Sequence, residues 1–208
     1  MEAMFLQVCL MAYLLGSIPF GYLLAQEKGI NIQKVGSGAT GSTNVARALG
    51  KPAAVVTFVA DAFKLFLAVF LAKYYFTENW IIYFVAVLAI IGHIVPPWPQ
   101  LKFRGGKGVA SLVGALLALD FKVALVWGAS WLILLGILFL VIKISKADFK
   151  EWMSSNNLLT LWYLPALFWL CNHHAWDWMI FSFVLTGIIY FAHHENIGRI
   201  IKSWRKSK

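Results

Sequence analysis

Two glycine-rich stretches and one histidine-led stretch carry most of the residues in this chain that could do chemistry. Residues 35–50 read VGSGATGSTNVARALG. Gly36, Gly38 and Gly41 free the backbone from the Cβ clash, so several N–H groups can turn toward one point and cup an anion. Ser37, Ser42, Thr43 and Asn44 add neutral donors, and Arg47 adds a fixed fork of charge suited to phosphate or carboxylate. A flexible interfacial connector would have a similar composition. Residues 101–108 read LKFRGGKG, with Lys102, Arg104 and Lys107 around Gly105 and Gly106, and with Gly108 leading into an apolar run. Glycine backbone, a helix N-terminus and a lysine then point at one place, which is how phosphates are commonly held. The full P-loop spacing GxxxxGK[ST] is missing, so no nucleotide site is read. A plain basic loop would explain the three charges but not the glycines. In HHENIGR, from His193 to Arg199, the residues His193, Asn196 and Arg199 recur every third position and share one helix face. A solvated basic helix end would look the same.

These stretches must be positioned by membrane helices. The 208 residues are 61% hydrophobic and 13% charged, with mean hydropathy +0.74, a balance no water-soluble domain of this size tolerates. The expected fold is an all-α integral membrane protein, a single polytopic domain over 1–208 with about seven transmembrane helices joined by glycine-rich cytoplasmic loops. The apolar runs are 4–25, 52–76, 80–98, 109–119, 121–142, 158–171 and 176–192. The first follows an acid, Glu2, rather than a basic n-region, and reads as a retained helix. It is interrupted by Gly16-Ser17-Ile18-Pro19, a packing kink on its own. The fourth is short for a span, and residues 143–157 read as a polar segment along the interface.

The net charge of +9 reflects topology rather than nucleic-acid binding. With seven spans and the N-terminus outside, every Lys and Arg except Lys64, Lys73 and Lys122 falls in the cytoplasmic segments. Ser37, Arg47, Lys107, His193 and Asn196 are thereby expected at one membrane face. Asp61 and Lys64, three residues apart in the second span, should pair with each other or with polar backbone, as a scaffold for the neighbouring loop. His93 is either a functional group or a satisfied core histidine. His173 and His174 lack a carboxylate cluster for a metal site and read as part of an outer turn. Cys9 and Cys171 imply no disulfide framework.

The sequence resembles the bacterial acyl-phosphate-dependent glycerol-3-phosphate acyltransferases of the PlsY type along essentially its whole length. The likeness rests on Gly16-Ser17-Ile18-Pro19, on Gly36-Ser37-Gly38 with Gly41, Thr43-Asn44 and Arg47, on residues 103–108, and on His193 with Asn196-Ile197 and Arg199. It implies a bacterial inner-membrane enzyme that moves a fatty acyl group from acyl phosphate to the sn-1 hydroxyl of glycerol 3-phosphate. The products would be lysophosphatidic acid and phosphate, the first step of phospholipid synthesis. It further implies a catalytic set of His193, Asn196 and Lys107, with Ser37, Gly38, Thr43, Asn44, Arg47, Gly105, Gly106 and Ser145 holding substrate. Neither metal nor other cofactor is expected. The implied partners are the two substrates, membrane lipid and a functional link to the enzyme that makes acyl phosphate, with no nucleic acid.

The chain departs from the family pattern at Asn31, Gln33, Ala39, His194 and Ser203-Trp204-Arg205, which bears on substrate preference and rate. Ser154 is a second match for the serine after the fifth helix. A paralogue acting on another polyol phosphate, a non-catalytic member and a small anion transporter are the rival readings; the transporter lacks the internal repeat it should show.

Overall fold

A computed structural model describes residues 2–102, 104–145, 152–171 and 176–198. The side chains of Ile142, Ile144, Ser145 and 152–154 lie outside this description, as do the whole of His173, His174 and Arg199. Among the described residues there are helices and no strands, and they form two compact units, Met1–Asp120 and Phe121–Lys208. Three stretches are long and apolar enough to cross a membrane: Glu2–Glu27, Lys51–Tyr75 and Phe121–Val141. Shorter apolar helices occupy Asn79–Ile94, Val109–Leu119 and Trp176–Ala192. Bulky apolar side chains such as Leu10, Val59, Phe63, Leu132, Ile133 and Phe183 are exposed, as a lipid-facing surface requires.

In the first unit, α1 (Glu2–Gly16) and α2 (Phe20–Glu27) are separated by the break at Ser17–Pro19. α3 (Ser42–Leu49) is a short amphipathic helix inside what the composition suggested was loop, and α4 (Lys51–Tyr75) follows it at Gly50. α3 forms because Val45 is buried with Ala25 and Ile32, and Leu49, one turn on, packs against that cluster. α5 (Asn79–Ile94) ends earlier than the apolar run to Trp98 implied. Pro96 and Pro97 follow within three residues and cannot extend a helical ladder. α6 (Val109–Leu119) has the expected bounds.

Small residues let these helices touch backbone to backbone. A Cβ on Gly16 would lie 1.9 Å from the Ala89 carbonyl oxygen, and one on Gly114 would lie 1.8 Å from that of Ala62. α1 is thus pressed on α5 and α4 on α6, as in membrane bundles where close van der Waals contact replaces hydrophobic drive. Lys73 donates to the Ala118 and Leu119 carbonyls, at 2.9 and 3.3 Å, capping the end of α6.

The second unit contains α7 (Phe121–Ser145), α8 (Trp152–Trp162), α9 (Leu164–Cys171) and α10 (Trp176–Ala192). Residues 156 and 157 do not belong to an interfacial segment as expected. Asn156 and Asn157 are buried in α8, where Asn156 Nδ2 donates to the Trp131 carbonyl at 3.1 Å and Asn157 Oδ1 accepts from Trp131 Nε1 at 2.9 Å. Trp127 Nε1 donates to the Thr160 carbonyl at 3.1 Å. This neutral seam joins α7 to α8 and gives the Asn156 Nδ2 and Asn157 Oδ1 groups partners that hydrocarbon could not.

Candidate active site

The first glycine stretch is held by one side chain. Asn44, in the first turn of α3, is 2% exposed. Its Oδ1 accepts the Ser37 N–H at 3.0 Å, and its Nδ2 donates to the carbonyls of Ala39 at 2.9 Å, Val35 at 3.0 Å and Ile32 at 3.4 Å. Gly36 and Gly38 have φ of +53° and +69°, a region that L side chains rarely enter. A Cβ on Gly36 would also meet Arg47 Cδ at 3.1 Å, so the arginine lies along the loop it was expected to serve. Arg47 and Thr43 are exposed, and Ser37 and Gly38 half-buried. Among the described residues Arg47 has no ion-pair partner.

The second stretch is seated on the end of α5 by its own backbone. The Gly105 and Gly106 N–H groups donate to the Ile94 and His93 carbonyls at 2.9 and 3.1 Å. Gly105 and Gly106 are buried, and Lys107 is half-buried. Residues just below them are anchored to α1. Tyr13 OH donates to the Val95 carbonyl at 3.0 Å, and Trp98 Nε1 donates to the Ser17 carbonyl at 2.8 Å, taking up an acceptor exposed by the helix break. The Gly-Ser-Ile-Pro interruption is therefore a fastening point for the second loop as well as a kink.

The two loops meet. Thr40 N–H donates to the Gly105 carbonyl at 3.2 Å, and a Cβ on Gly41 would lie 3.8 Å from Gly106 Cα and 4.0 Å from the Lys107 nitrogen. Gly41 is the N-cap of α3, and Gly108, next to Lys107, is the N-cap of α6. Two helix N-termini, each with unsatisfied N–H groups and a partial positive charge, thus lie beside a lysine. This is an arrangement for an anion. A separate cavity of about 330 Å³ is lined by Gln26, Asn31, Gln33 and Gln100 and by no charged residue, so it offers an anion much less.

A family model for glycerol-3-phosphate acyltransferase matches residues 6–203. The chain belongs to this family. The glycerol-3-phosphate acyltransferase of Wolbachia pipientis wMel is 35% identical over 196 residues, covering 94% of this chain and 93% of its own. That of Aquifex aeolicus (strain VF5) is 35% identical over 202 residues, 97% of this chain and 96% of its own. The crystal structure of PlsY (YgiH), an integral membrane glycerol 3-phosphate acyltransferase, in its glycerol 3-phosphate form superposes with a TM-score of 0.81 at 33% identity. It covers 95% of this chain and 92% of its own. The form with lysophosphatidic acid gives 0.77 at 32% identity, with the same coverage. The protein is accordingly an integral membrane acyltransferase of the PlsY type.

Two further residues of the expected acyltransferase set lie in the second unit. His193 follows α10 and is 1% exposed; Asn196, in the helical turn 194–198, is 4% exposed. The Ile197 N–H bonds to the His193 carbonyl at 3.0 Å, which keeps the chain helical and puts both side chains on one face. His193 Nδ1 lies 2.8 Å from the Ile189 carbonyl, which can only accept, so Nδ1 carries the proton and the neutral ring's acceptor is Nε2. Ser145 is the last residue of α7, but its side chain, like that of Ser154 and the whole of Arg199, lies outside the described residues.

Asp61 and Lys64, expected to pair with each other or with polar backbone, do both, and His93 lies beside them. Lys64 Nζ is 2.8 Å from Asp61 Oδ1 and donates to the Ile18 carbonyl at 2.6 Å, with the Phe20 ring centroid 5.7 Å away. The two charges pair, as expected of groups that each cost about 2.5–3.5 kcal/mol at the centre of a membrane helix. His93 Nδ1 lies 3.6 Å from the same Asp61 oxygen.

Proposed function

We propose that this acyltransferase moves a fatty acyl group from acyl phosphate to the sn-1 hydroxyl of glycerol 3-phosphate, giving lysophosphatidic acid and inorganic phosphate. The observation that carries the reading is the hydrogen bond from Thr40 to Gly105, which brings two helix N-termini and Lys107 together. Acyl phosphate is a mixed anhydride with a good leaving group, so no covalent enzyme intermediate is needed. The sn-1 oxygen attacks the acyl carbon, the bond from that carbon to the phosphate oxygen breaks, and phosphate departs with the electron pair. The hydroxyl proton passes to a phosphate oxygen. His193, oriented by the Ile189 carbonyl at Nδ1, acts through hydrogen bonding at Nε2.

The protein's work is then to hold two anionic substrates close and to neutralise charge developing on the carbonyl and on the leaving phosphate. Lys107, Arg47 and the N–H groups of the first turns of α3 and α6 take that role, with Ser37, Thr43, Ser145 and Asn196 orienting oxygens. Gly38, Gly105 and Gly106, whose own N–H groups are bonded to the Val35, Ile94 and His93 carbonyls, shape the loops around the substrate. Asn44 acts by shaping the loop that carries Ser37. In this reading residues 1–208 work as one domain, and the basic loops keep the site on the cytoplasmic side of the inner membrane with the N-terminus outside. The acyl chain comes from the surrounding lipid.

Purified enzyme supplied with acyl phosphate and glycerol 3-phosphate in the presence of a chelator should release lysophosphatidic acid and phosphate in equal amounts. Turnover that needs a different acyl donor, or that returns only with added magnesium or zinc, overturns the reading. Lys107→Ala should lower kcat/KM by about a hundredfold, the loss expected for removing one preorganised donor.

A further inference from the structure

The cluster of Asp61, Lys64 and His93 is outside the machinery just described, yet each of its outlets ends on one of the polar motifs. Lys64 bonds the Ile18 carbonyl at the break between α1 and α2. His93 receives the Gly106 N–H on its carbonyl, and its neighbour Ile94 receives that of Gly105. The His93 ring also lies directly against Gly106, where a Cβ would be 2.1 Å from Nε2 and 2.5 Å from Cε1. Gly105 and Gly106 are not among the glycines with positive φ. Glycine is required at 106 by proximity to the histidine and not by backbone conformation.

Stability alone does not call for such a cluster. Apolar side chains of similar volume replace buried ion pairs with little or no loss of stability, and hold helices together as well. What an apolar pair lacks is a carboxylate beside the ring, 3.6 Å from Nδ1, held in place by its own lysine. Asp61 faces His93 Nδ1 on one side of the imidazole, Gly106 abuts Nε2 on the other, and Lys64 fixes the carboxylate. Lys107 is the next residue after Gly106, and Gly106 in turn backs onto the N-cap of α3.

We propose that Asp61, Lys64 and His93 are positioning residues for the acyl-transfer step, a buried rest on which Gly105–Gly106 is seated so that Lys107 faces the reacting groups. This deepens the function proposed above and rests on it for the role of Lys107. A rest that sets the position of a charge needed in the transition state controls kcat and leaves ground-state binding largely alone.

Two constructions test this without leaving a lone buried charge. Replacing the pair together, Asp61→Leu with Lys64→Met, should give a protein that melts within a few degrees of the parent. Its kcat should be at least tenfold lower, with KM for glycerol 3-phosphate within about twofold. The second is a suppression experiment. Gly106→Ala alone should lose at least a hundredfold in turnover because its methyl group meets the His93 ring. Removing the ring in His93→Ala/Gly106→Ala should restore at least tenfold of that loss. Wild-type kcat in the pair replacement, or a double variant no better than Gly106→Ala, overturns the proposal. Lys107→Ala run alongside separates the two readings: if it is as active as the parent, the proposed function has failed. If it is inactive while the cluster variants turn over normally, the fault lies with the positioning role alone.

Discussion

The two glycine loops look alike in sequence, but their central glycines serve different ends. The loop at 35–41 takes its shape from left-handed φ angles at Gly36 and Gly38 and from one side chain, Asn44, bonded to backbone at four places. The loop at 104–108 keeps Gly105 and Gly106 out of that region and is fastened by backbone bonds to the end of α5. Glycine is there to admit the His93 carbonyl and ring. Gly36 and Gly38 supply torsional freedom and Gly105 and Gly106 supply room, while Gly108, with φ of +86° at the N-cap of α6, is the second loop's torsional glycine. Substitutions that separate freedom from room should therefore act unequally on the two.

The largest effect is expected at Gly105. A Cβ there would lie 2.0 Å from the His93 carbonyl oxygen, which is backbone and cannot swing aside. Gly105→Ala must shift the loop or the end of α5 by more than an ångström, and a displacement of that size can cost about a hundredfold in rate. Steady-state turnover in detergent should fall by about that factor or more. Retention of a tenth of the parent activity would show that the second loop is not held by close approach.

Next comes Asn44. Asn44→Ala leaves the Ser37 N–H and the Ala39 carbonyl without their partner, a loss of about 1–3 kcal/mol for each group that water cannot reach, while the Val35 carbonyl keeps the Gly38 N–H. KM for glycerol 3-phosphate should rise about tenfold or more, and the melting temperature should drop by several degrees. Asn44→Asp keeps the acceptor for Ser37 and sets a carboxylate against three carbonyls, so it should be no better than alanine. A normal KM with either substitution would mean that the loop keeps its shape without this strut.

The contrast between the loops also shows where sequence stops informing. Much of the order of apolar helices was legible, down to the bounds of Val109–Leu119 and Trp176–Ala192, because hydropathy over a dozen residues reports burial in lipid directly, but the run 158–171, expected as one span, is divided between α8 and α9 at Tyr163. α3 was not legible, since eight residues have little helical preference of their own and depend on Val45 and Leu49 finding Ala25 and Ile32. The same Val45–Leu49 spacing, read with Gly41-Ser42 as a helix start, was the available signal. The early end of α5 could have been read from Pro96 and Pro97. The polar residues of the site were legible as a set from their types and glycine spacing. Which of them hold the backbone and which face outward was not, because Asn44 and Arg47 differ only in the direction their side chains take from one short helix. Asp61 and Lys64 were legible as a pair, while their link to the second loop through His93 depends on contacts between segments more than thirty residues apart.

A smaller effect is expected at Gly38. Its φ of +69° costs an L residue about 1–2 kcal/mol, and a Cβ would sit 3.0 Å from the Gln33 carbonyl oxygen, tight but near the edge of what a small shift relieves. Gly38→Ala should therefore reduce kcat/KM for glycerol 3-phosphate about fivefold to twentyfold. Gly38→Asn should do less harm than alanine, because asparagine tolerates the left-handed region better. Equal loss in both would assign the defect to crowding at Gln33 and make this loop resemble the other.

Gly41 should respond least in stability, although it lies where the two loops meet. Its φ of −76° and ψ of 163° are ordinary extended backbone, open to any residue. Its nearest neighbours to a Cβ are Gly106 Cα at 3.8 Å and the Lys107 nitrogen at 4.0 Å, both normal contact distances. Glycine is thus required here neither by torsion nor by room within the protein. Gly41→Ala should melt within about one degree of the parent, and Gly41→Ser, with a hydroxyl suited to the N-cap of α3, should melt slightly higher. A fall of several degrees in both would mean that the seam between the loops is closed more tightly than either loop is built, and the division between freedom and room would not extend to their junction.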